Sequence, residues 1–310
     1  MNEQSSAVKR PSRFAAIEAG GTKWRVSVGE PPHDVRSVTI ATQDPASTLG
    51  EVEAFIEAEL RVRGPIDALG IGSFGPVGVM PNQDGFGVIG RTPKEAWQGV
   101  NLVSYFAKLG VPVAVDTDVN VAARGEFTAW GSPSGRLVYV TVGTGIGAGV
   151  ADSGSTSLGM DHAEIGHITV RPHAEDSFEG VCPYHRHCLE GLASGPAIAA
   201  RWGANLSELN EDHRAHRIVA YYLGQLSATL LLTLAPHQLI MGGGVLETPG
   251  LLALIRRSTH ELLNGYLARF DQLEALDEVI RAPRLGAQAG ITGAFSLARQ
   301  AATASGSLSR

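Results

Sequence analysis

Apolar residues in this chain follow two periods, and their succession predicts the architecture. Residues 14–28 (F-A-A-I-E-A-G-G-T-K-W-R-V-S-V) read as two short strands around a tight Gly-Gly turn. Residues 137–151 (L-V-Y-V-T-V-G-T-G-I-G-A-G-V-A) repeat the device around a longer glycine turn. Between them, residues 51–63 carry a helical period, 68–73 read as a buried strand, and 78–92 form a loop rich in Gly, Pro and Asn. A strand at 111–115 and a helix at 118–130 complete the first half. The second half reads as helices near 194–203 and 212–235, a strand at 238–241, a Gly-Gly-Gly turn, and helices near 249–266 and 286–300. Each half thus opens with a hairpin whose turn is built of Gly and Thr, a weak internal repeat. Two related α/β lobes are expected, with their boundary near residue 117.

The longest uncharged run, 218–235, ends at Pro236 and contains Gln225, Ser227, Thr229 and Thr233. It barely reaches the length of a membrane span, so a buried core helix is expected. Residues 1–13 lack the apolar stretch of a secretory signal and read as a disordered tail. A soluble, cytoplasmic protein with no membrane partner follows. A chain of 310 residues can bury one large core or two ordinary ones. Its net charge of -6, with no run of Lys or Arg, speaks against nucleic acid as a partner.

The 38 glycines matter because they cluster. Glycine-rich turns expose backbone N–H groups that bind phosphate oxygens. No G-x-x-x-x-G-K-[ST] is present, and G70-I-G-S-F-G75 is followed by Pro76 and a loop, without the helix a dinucleotide fingerprint needs. The hairpin turns are better candidates. Gly20-Gly21-Thr22-Lys23 offers N–H groups, a hydroxyl and a cation, and Gly143-Thr144-Gly145-Ile146-Gly147 offers more N–H groups and another hydroxyl. Either turn alone is an ordinary hairpin; as a pair, once per lobe, they could clamp the phosphates of one nucleotide. A third loop, Gly242-Gly243-Gly244-Val245, would let a nucleotide ring or ribose approach the backbone. Asp116 and Asp118 sit where a strand gives way to a helix. Asp118 is either an N-cap or a general base for a hydroxyl attacking phosphorus, and spacing alone leaves both readings standing. Glu18, just before the first turn, could orient hydrated Mg²⁺ or simply belong to its strand.

The order of I-E-A-G-G-T-K, S-F-G-P-V-G, R-T-P-K-E-A-W, D-T-D-V-N-V-A-A-R-G-E, V-T-V-G-T-G-I-G-A-G, H-A-E-I-G-H, C-P-Y-H-x-x-C-L-E-G-L-A-S-G-P-A and M-G-G-G-V resembles the ROK family of sugar kinases and repressors, in its bacterial fructokinase branch. The resemblance spans roughly residues 14 to 300, with the motifs in the same order throughout. It implies a two-lobed, actin-like ATPase fold of the ribonuclease H-like, hexokinase type. The lobes would take 14–117 plus about 286–305, and 118–285. It also implies phosphorylation of a hexose at its 6-hydroxyl by ATP with Mg²⁺, in a homodimer, with D-fructose as the sugar and mannose, glucose or N-acetylmannosamine as the alternatives. By the same resemblance Asp118 is the catalytic base, although the usual N-D-A-N is T-D-V-N here. Asn101, Glu164, His167 and Glu190 contact sugar. The resemblance implies that Thr144, Pro196 and the loop Gly242, Gly243, Gly244, Val245 and Leu246 hold nucleotide, beside Gly145 and Gly20, Gly21, Thr22 and Lys23 as read from the glycine turns. Glu18 stands where most members have Asp. A repressor of this family needs an N-terminal DNA-binding domain, for which the dozen residues before the first strand are too few.

Both cysteines lie in G-V-C-P-Y-H-R-H-C-L-E-G, residues 180–191. Cys182, His185 and Cys188 supply three ligands at the short spacing of zinc sites, and a disulfide would need an oxidising compartment. His162, His167, His173 and His187 all lie near enough to be the fourth ligand; the family pattern selects His167. Four protein ligands make such a zinc structural, and its loop would fix Glu164 and Glu190 around the sugar. His213 and His216 read as part of a solvated helix face.

Overall fold

The structure, a computed structural model, describes residues 11–131, 135–153, 155–157, 159 and 161–306. The tail expected over residues 1–13 falls outside the described residues as far as residue 10. The chain divides into two compact units: one runs to Asp118 and resumes at Ala294, the other is Val119–Gly293. The return lies inside the last helix, not ahead of it near residue 286.

In the first unit, β1 (Phe14–Ala19) and β2 (Lys23–Gly29) form the expected hairpin, with Ala19 opposite Trp24. β3 (Val35–Ala41) extends it on the far side of β2, while β4 (Ala68–Ser73) and β5 (Val113–Thr117) run parallel to β1, giving the order β3-β2-β1-β4-β5. β3 escapes sequence reading because it is an exposed edge strand with Ile40 as its one buried side chain. α1 (Pro45–Arg63) starts six residues before its apolar period: Asp44 accepts a hydrogen bond from Ser47 N at 3.0 Å, and Pro45 fills the first turn. The 78–92 segment is a loop tied by isolated bridges such as Val77 to Ile89. It leads to a short helix, α2 (Leu102–Phe106). Gly70 is a packing device and not part of a dinucleotide loop, since a methyl group there would meet Ala294 O at 2.0 Å.

In the second unit, the body of α3 (Asp118–Trp130) is followed by β6 (Arg136–Val142), β7 (Ile146–Asp152) and β8 (Ser155–Thr156). α4 (Leu189–Ala193), α5 (Gly195–Trp202) and α6 (Arg214–Leu234) precede β9 (Gln238–Gly242). α7 (Leu251–Leu263), β10 (Ile280–Arg281) and the start of α8 (Ala289–Ala304) close the unit. The sheet order is β10-β9-β6-β7-β8, with β6 and β7 antiparallel and β9 parallel to β6. Both sheets therefore share one plan, an antiparallel hairpin whose first strand also pairs with a later parallel strand. The repeat glimpsed in the Gly-Thr turns is a repeat of topology.

α6 is the core helix its composition predicts. Among the described residues it is the one helix long and apolar enough to cross a membrane, and 61% of its most apolar stretch is buried inside the protein. Ile218, Val219, Tyr222, Leu223 and Leu226 pack with β6, β9 and α7 in one continuous core. The expectation for His213 and His216 needs correction. His213 caps α6, accepting from Ala215 N, while His216 is only 4% exposed, because one turn of a helix with a buried face carries it inward.

Candidate functional site

His167, Cys182, His185 and Cys188 each bring one ligand atom into a group whose members all lie within 4.8 Å of one another. His167 Nδ1 is 3.5 Å from Cys188 Sγ and 3.7 Å from Cys182 Sγ, and His185 Nδ1 is 3.8 Å from Cys182 Sγ. A tetrahedron with metal–sulfur and metal–nitrogen bonds of about 2.3 and 2.05 Å has N···S edges of about 3.5–3.6 Å, so the group fits a tetrahedral metal. Burial pushes the Cys188 thiol up to about 11, so two adjacent thiolates here call for a cation. The backbone builds the group: Leu189 N donates to Ile168 O, bringing His167 beside Cys188, and Arg186 N donates to Cys182 O across the loop. His162, His173 and His187 lie outside this ligand group.

Glu190 is in the first turn of α4, two residues after Cys188 at its N-cap. Its Oε2 accepts from Ile146 N at 2.8 Å, and its Oε1 faces His167 Nε2 at 3.9 Å. Glu164 instead pairs with His162, Nε2 to Oε1, at 2.9 Å, and Asp161 Oδ1 sits 3.1 Å from the other ring nitrogen. The hydrogen bond from His162 holds the Glu164 carboxyl below its ordinary range and raises the imidazole. His162 is therefore a carboxylate partner. The D-H-A-E order put the two close in sequence, but only the turn makes them face each other.

The 143–147 turn has two faces. On one, Gly143 and Thr144 line a cavity of about 540 Å³ with Gly195, Pro196, Ile198, Asn205, Leu206, Gly244 and Val245. On the other, Gly145 leaves room for Glu190, since a methyl group there would lie 2.8 Å from Oε2. The N–H groups of Thr144 and Gly145 donate to no group among the described residues, whereas Gly143 N is used by Gly145 O. Gly195 N donates to Gly143 O and Ser194 caps α5 with Pro196 in its first turn, which carries Pro196 to the cavity. The three glycines after β9 divide their work. Gly242 and Gly243 are packed, methyl groups there meeting Pro283 Cγ at 2.7 Å and Val142 O at 2.5 Å, and Gly244 alone opens on the cavity. Leu246 is not among the cavity-lining residues. Sequence reasoning missed Ile198, Asn205 and Leu206; besides the S-G-P signal of α5, the N-L-S-E capping box, in which Asn205 N donates to Glu208 Oε2 at 2.8 Å, marks that wall.

The first unit holds the remaining candidates. Gly20 N donates to Lys23 O, making Gly21 and Thr22 a two-residue turn whose own N–H groups have no acceptor among the described residues. Glu18 sits opposite Arg25, Oε2 3.4 Å from the guanidinium, and burial raises its pKa against the pull of Arg25 and Lys23. Asn101 caps α2, accepting from Ser104 N at 2.9 Å and donating to Phe86 O at 3.1 Å, so its amide is partly used by the loop. Asp118 is the first residue of α3, half-buried, where the helix dipole favours a negative charge. Asp116 is buried and accepts from Thr117 N.

Paired α/β units with glycine hairpin turns, one beside a nucleotide-sized cavity, define an actin-like ATPase fold. A model of the ROK family matches residues 14–301, and the chain belongs to that family. It is 41% identical over 293 residues to a fructokinase of Zymomonas mobilis, covering 92% of this chain and 96% of that one. It is 35% identical over 289 residues to a fructokinase of Lactococcus lactis, covering 92% and 96%. The crystal structure of a ROK hexokinase from Thermus thermophilus superposes with a TM-score of 0.75 at 26% identity, covering 94% of this chain and 99% of that one.

Proposed function

We propose that this chain is an ATP-dependent kinase that phosphorylates D-fructose on its 6-hydroxyl, releasing fructose 6-phosphate and ADP. The observation that carries the reading is the two-faced turn. Four residues, 143–146, present two N–H groups with no acceptor among the described residues beside the cavity and hold Glu190 on the opposite face. In this reading the turn would bring a nucleotide phosphate and a sugar hydroxyl together, which is the positioning that phosphoryl transfer requires. Relatives named fructokinase at 35–41% identity support fructose as the sugar.

In this reading Asp118 accepts the proton of the 6-hydroxyl as that oxygen bonds to the terminal phosphorus and the bond to the β-phosphate oxygen breaks. Glu190 and Glu164, the latter held by His162, accept hydrogen bonds from the sugar hydroxyls. The turns and Lys23 balance phosphate charge, together with Mg²⁺ carried by ATP. His167, Cys182, His185 and Cys188 would hold Zn²⁺ with no open coordination position, so the metal supplies rigidity to the loop bearing Glu190. A homodimer in the cytoplasm goes with this reading by analogy with the family.

The test is ADP release across a panel of fructose, mannose, glucose and N-acetylmannosamine, with wild type and Asp118→Asn. We expect fructose to give the highest kcat/KM. Asp118→Asn should lower kcat by about 10²–10⁴-fold, the usual worth of a general base, while sugar binding is kept. Full kcat in Asp118→Asn would remove the base from that role; another hexose giving the highest kcat/KM would replace fructose.

A further inference from the structure

The R-T-P-K-E-A-W segment has no role in the site described above, yet it folds onto the first glycine turn. Trp97 is 2% exposed and stacks on Trp24, one residue beyond the turn, with ring centroids 5.2 Å apart. Phe74 closes on its edge at 5.8 Å, and Trp97 Nε1 donates to Gln43 O at 3.0 Å. The neighbouring Thr42 binds the turn itself: its N–H donates to Thr22 O and its hydroxyl to Gly20 O. Within the segment, Lys94 N donates to Thr92 Oγ1 and Gln98 Nε2 to Thr92 O. Turn and segment are thus fastened to one another at several points. The side chain that this brings over the turn is Lys94, whose Cε lies 3.4 Å from where a methyl group on Gly21 would sit.

Three features at this spot ask for an anion. The Lys94 ammonium has no hydrogen-bond or ion-pair partner among the described residues. The same is true of Lys23, at the other end of the turn. The N–H groups of Gly21 and Thr22 have no acceptor among the described residues either, so two donors lie beside two lysines, the charge of Lys23 also acting on the Glu18 carboxyl in β1. We propose that the Lys94 ammonium is a direct ligand of the terminal phosphate of ATP at the Gly21-Thr22 turn. The chain then carries two lysines for that phosphate, Lys23 on the hairpin and Lys94 on a strap locked to it by Trp97. A lysine acts on phosphate as a point charge, so an arginine reaching the same place keeps most of the effect.

The inference rests on the kinase reading for the identity of the anion, but its test needs no sugar. Calorimetric titration of the whole protein with Mg·ATP and with Mg·ADP is compared for wild type, Lys94→Met, Lys94→Gln and Lys94→Arg, with thermal melting as the control for folding. Loss of one charge-assisted phosphate contact should weaken Mg·ATP about 10- to 100-fold in Lys94→Met and Lys94→Gln. Mg·ADP should stay within about twofold of wild type, since the phosphate that Lys94 binds is missing from it. Lys94→Arg should keep Mg·ATP within about fivefold. Equal changes for both nucleotides, or none, in a folded variant would overturn the role of Lys94. Wild type that binds Mg·ATP but phosphorylates no hexose would sink the sugar-kinase reading and leave Lys94 in place. Wild type that fails to bind Mg·ATP would overturn both.

Discussion

Alanine at Gly145 and alanine at Gly143 differ by two positions in one turn and should damage opposite substrates. Neither glycine has a left-handed φ, so both backbones accept alanine without strain. At Gly145 the new methyl group would lie 2.8 Å from Glu190 Oε2 and 3.6 Å from its carboxyl carbon, a contact the carboxylate must retreat from. Retreat breaks or lengthens the 2.8 Å hydrogen bond from Ile146 N. A hydrogen bond to a charged group contributes about 1.5–3 kcal/mol, so losing most of it should raise the fructose KM by about 10- to 100-fold. ATP KM should move by less than about threefold, because the cavity face is untouched. At Gly143 no atom lies within 4 Å of the added methyl group, and the residue lines the cavity. There the ATP KM should rise and the fructose KM should hold. A coupled ADP-release assay with each substrate varied in turn reads both variants. Gly145→Ala acting on ATP alone, or leaving fructose KM within twofold, would refute the division of the turn into two faces.

Metal removal and alkaline unfolding test two other parts of the second unit. Elemental analysis should find about one zinc per chain, absent in Cys182→Ser; that variant should also show a raised fructose KM, because His167 and the Cys188 cap of α4 are then no longer held together. Unchanged fructose kinetics in a zinc-free protein would detach the metal from Glu190. Tyr222 is fully buried and donates to Asp176 Oδ2 at 2.5 Å; Arg201 pairs with the same carboxylate. Burial first, and then Asp176, push its pKa up to about 12. The native state therefore keeps this proton where the unfolded chain loses it, so the contribution is full below pH 10 and is lost as pH rises to 12. Denaturant unfolding should show wild type more stable than Tyr222→Phe at pH 8, with the gap narrowing by about 2–3 kcal/mol across that window. A gap independent of pH would mean the hydroxyl titrates as it does in water.

Much of the fold was legible because period and punctuation agreed. The strand at 68–73 and the helix at 118–130 have the bounds their residues suggest, with Asp118 at the start of one and Gly70 buried in the other. What was hidden depends on partners distant in sequence. β3 shows one buried residue, so its alternation is faint; His216 looked solvated because its charged neighbours Arg214 and Arg217 conceal the buried face of α6. At the site, residue types identified the metal group, but not that Glu164 would turn to His162, nor that Asn101 would cap α2. Of the cavity wall at Ile198, Asn205 and Leu206, only Asn205 carries a sequence signal, the N-L-S-E capping box it forms with Glu208, while Ile198 and Leu206 are apolar residues of the kind a core also uses.

The two hairpins share a topology, and under the proposed function their turns would meet phosphate in different electrostatic surroundings. In each sheet the turn leaves two consecutive N–H groups without an acceptor among the described residues, Gly21 with Thr22 and Thr144 with Gly145. This follows from the topology the two sheets share. The side chains around the turns then diverge. The first turn carries Lys23 and receives Lys94, so its field is positive and suited to the most highly charged end of a nucleotide. At the second, the adjacent donor Ile146 N is occupied by Glu190, which brings a negative charge within one residue of the free N–H groups. A phosphate there would meet a carboxylate behind the turn, and a hydroxyl would meet an acceptor. Under the proposed function, the first turn would serve as a phosphate cradle and the second would face phosphate on one side and sugar on the other. That divergence predicts an asymmetry: removing Lys23 and Lys94 together should cost ATP affinity with little change in fructose KM, whereas Glu190→Gln should raise fructose KM and leave ATP affinity unchanged or improved. A loss of ATP affinity in Glu190→Gln would show that the carboxylate supports the nucleotide as well, and the two turns would then not have diverged in charge.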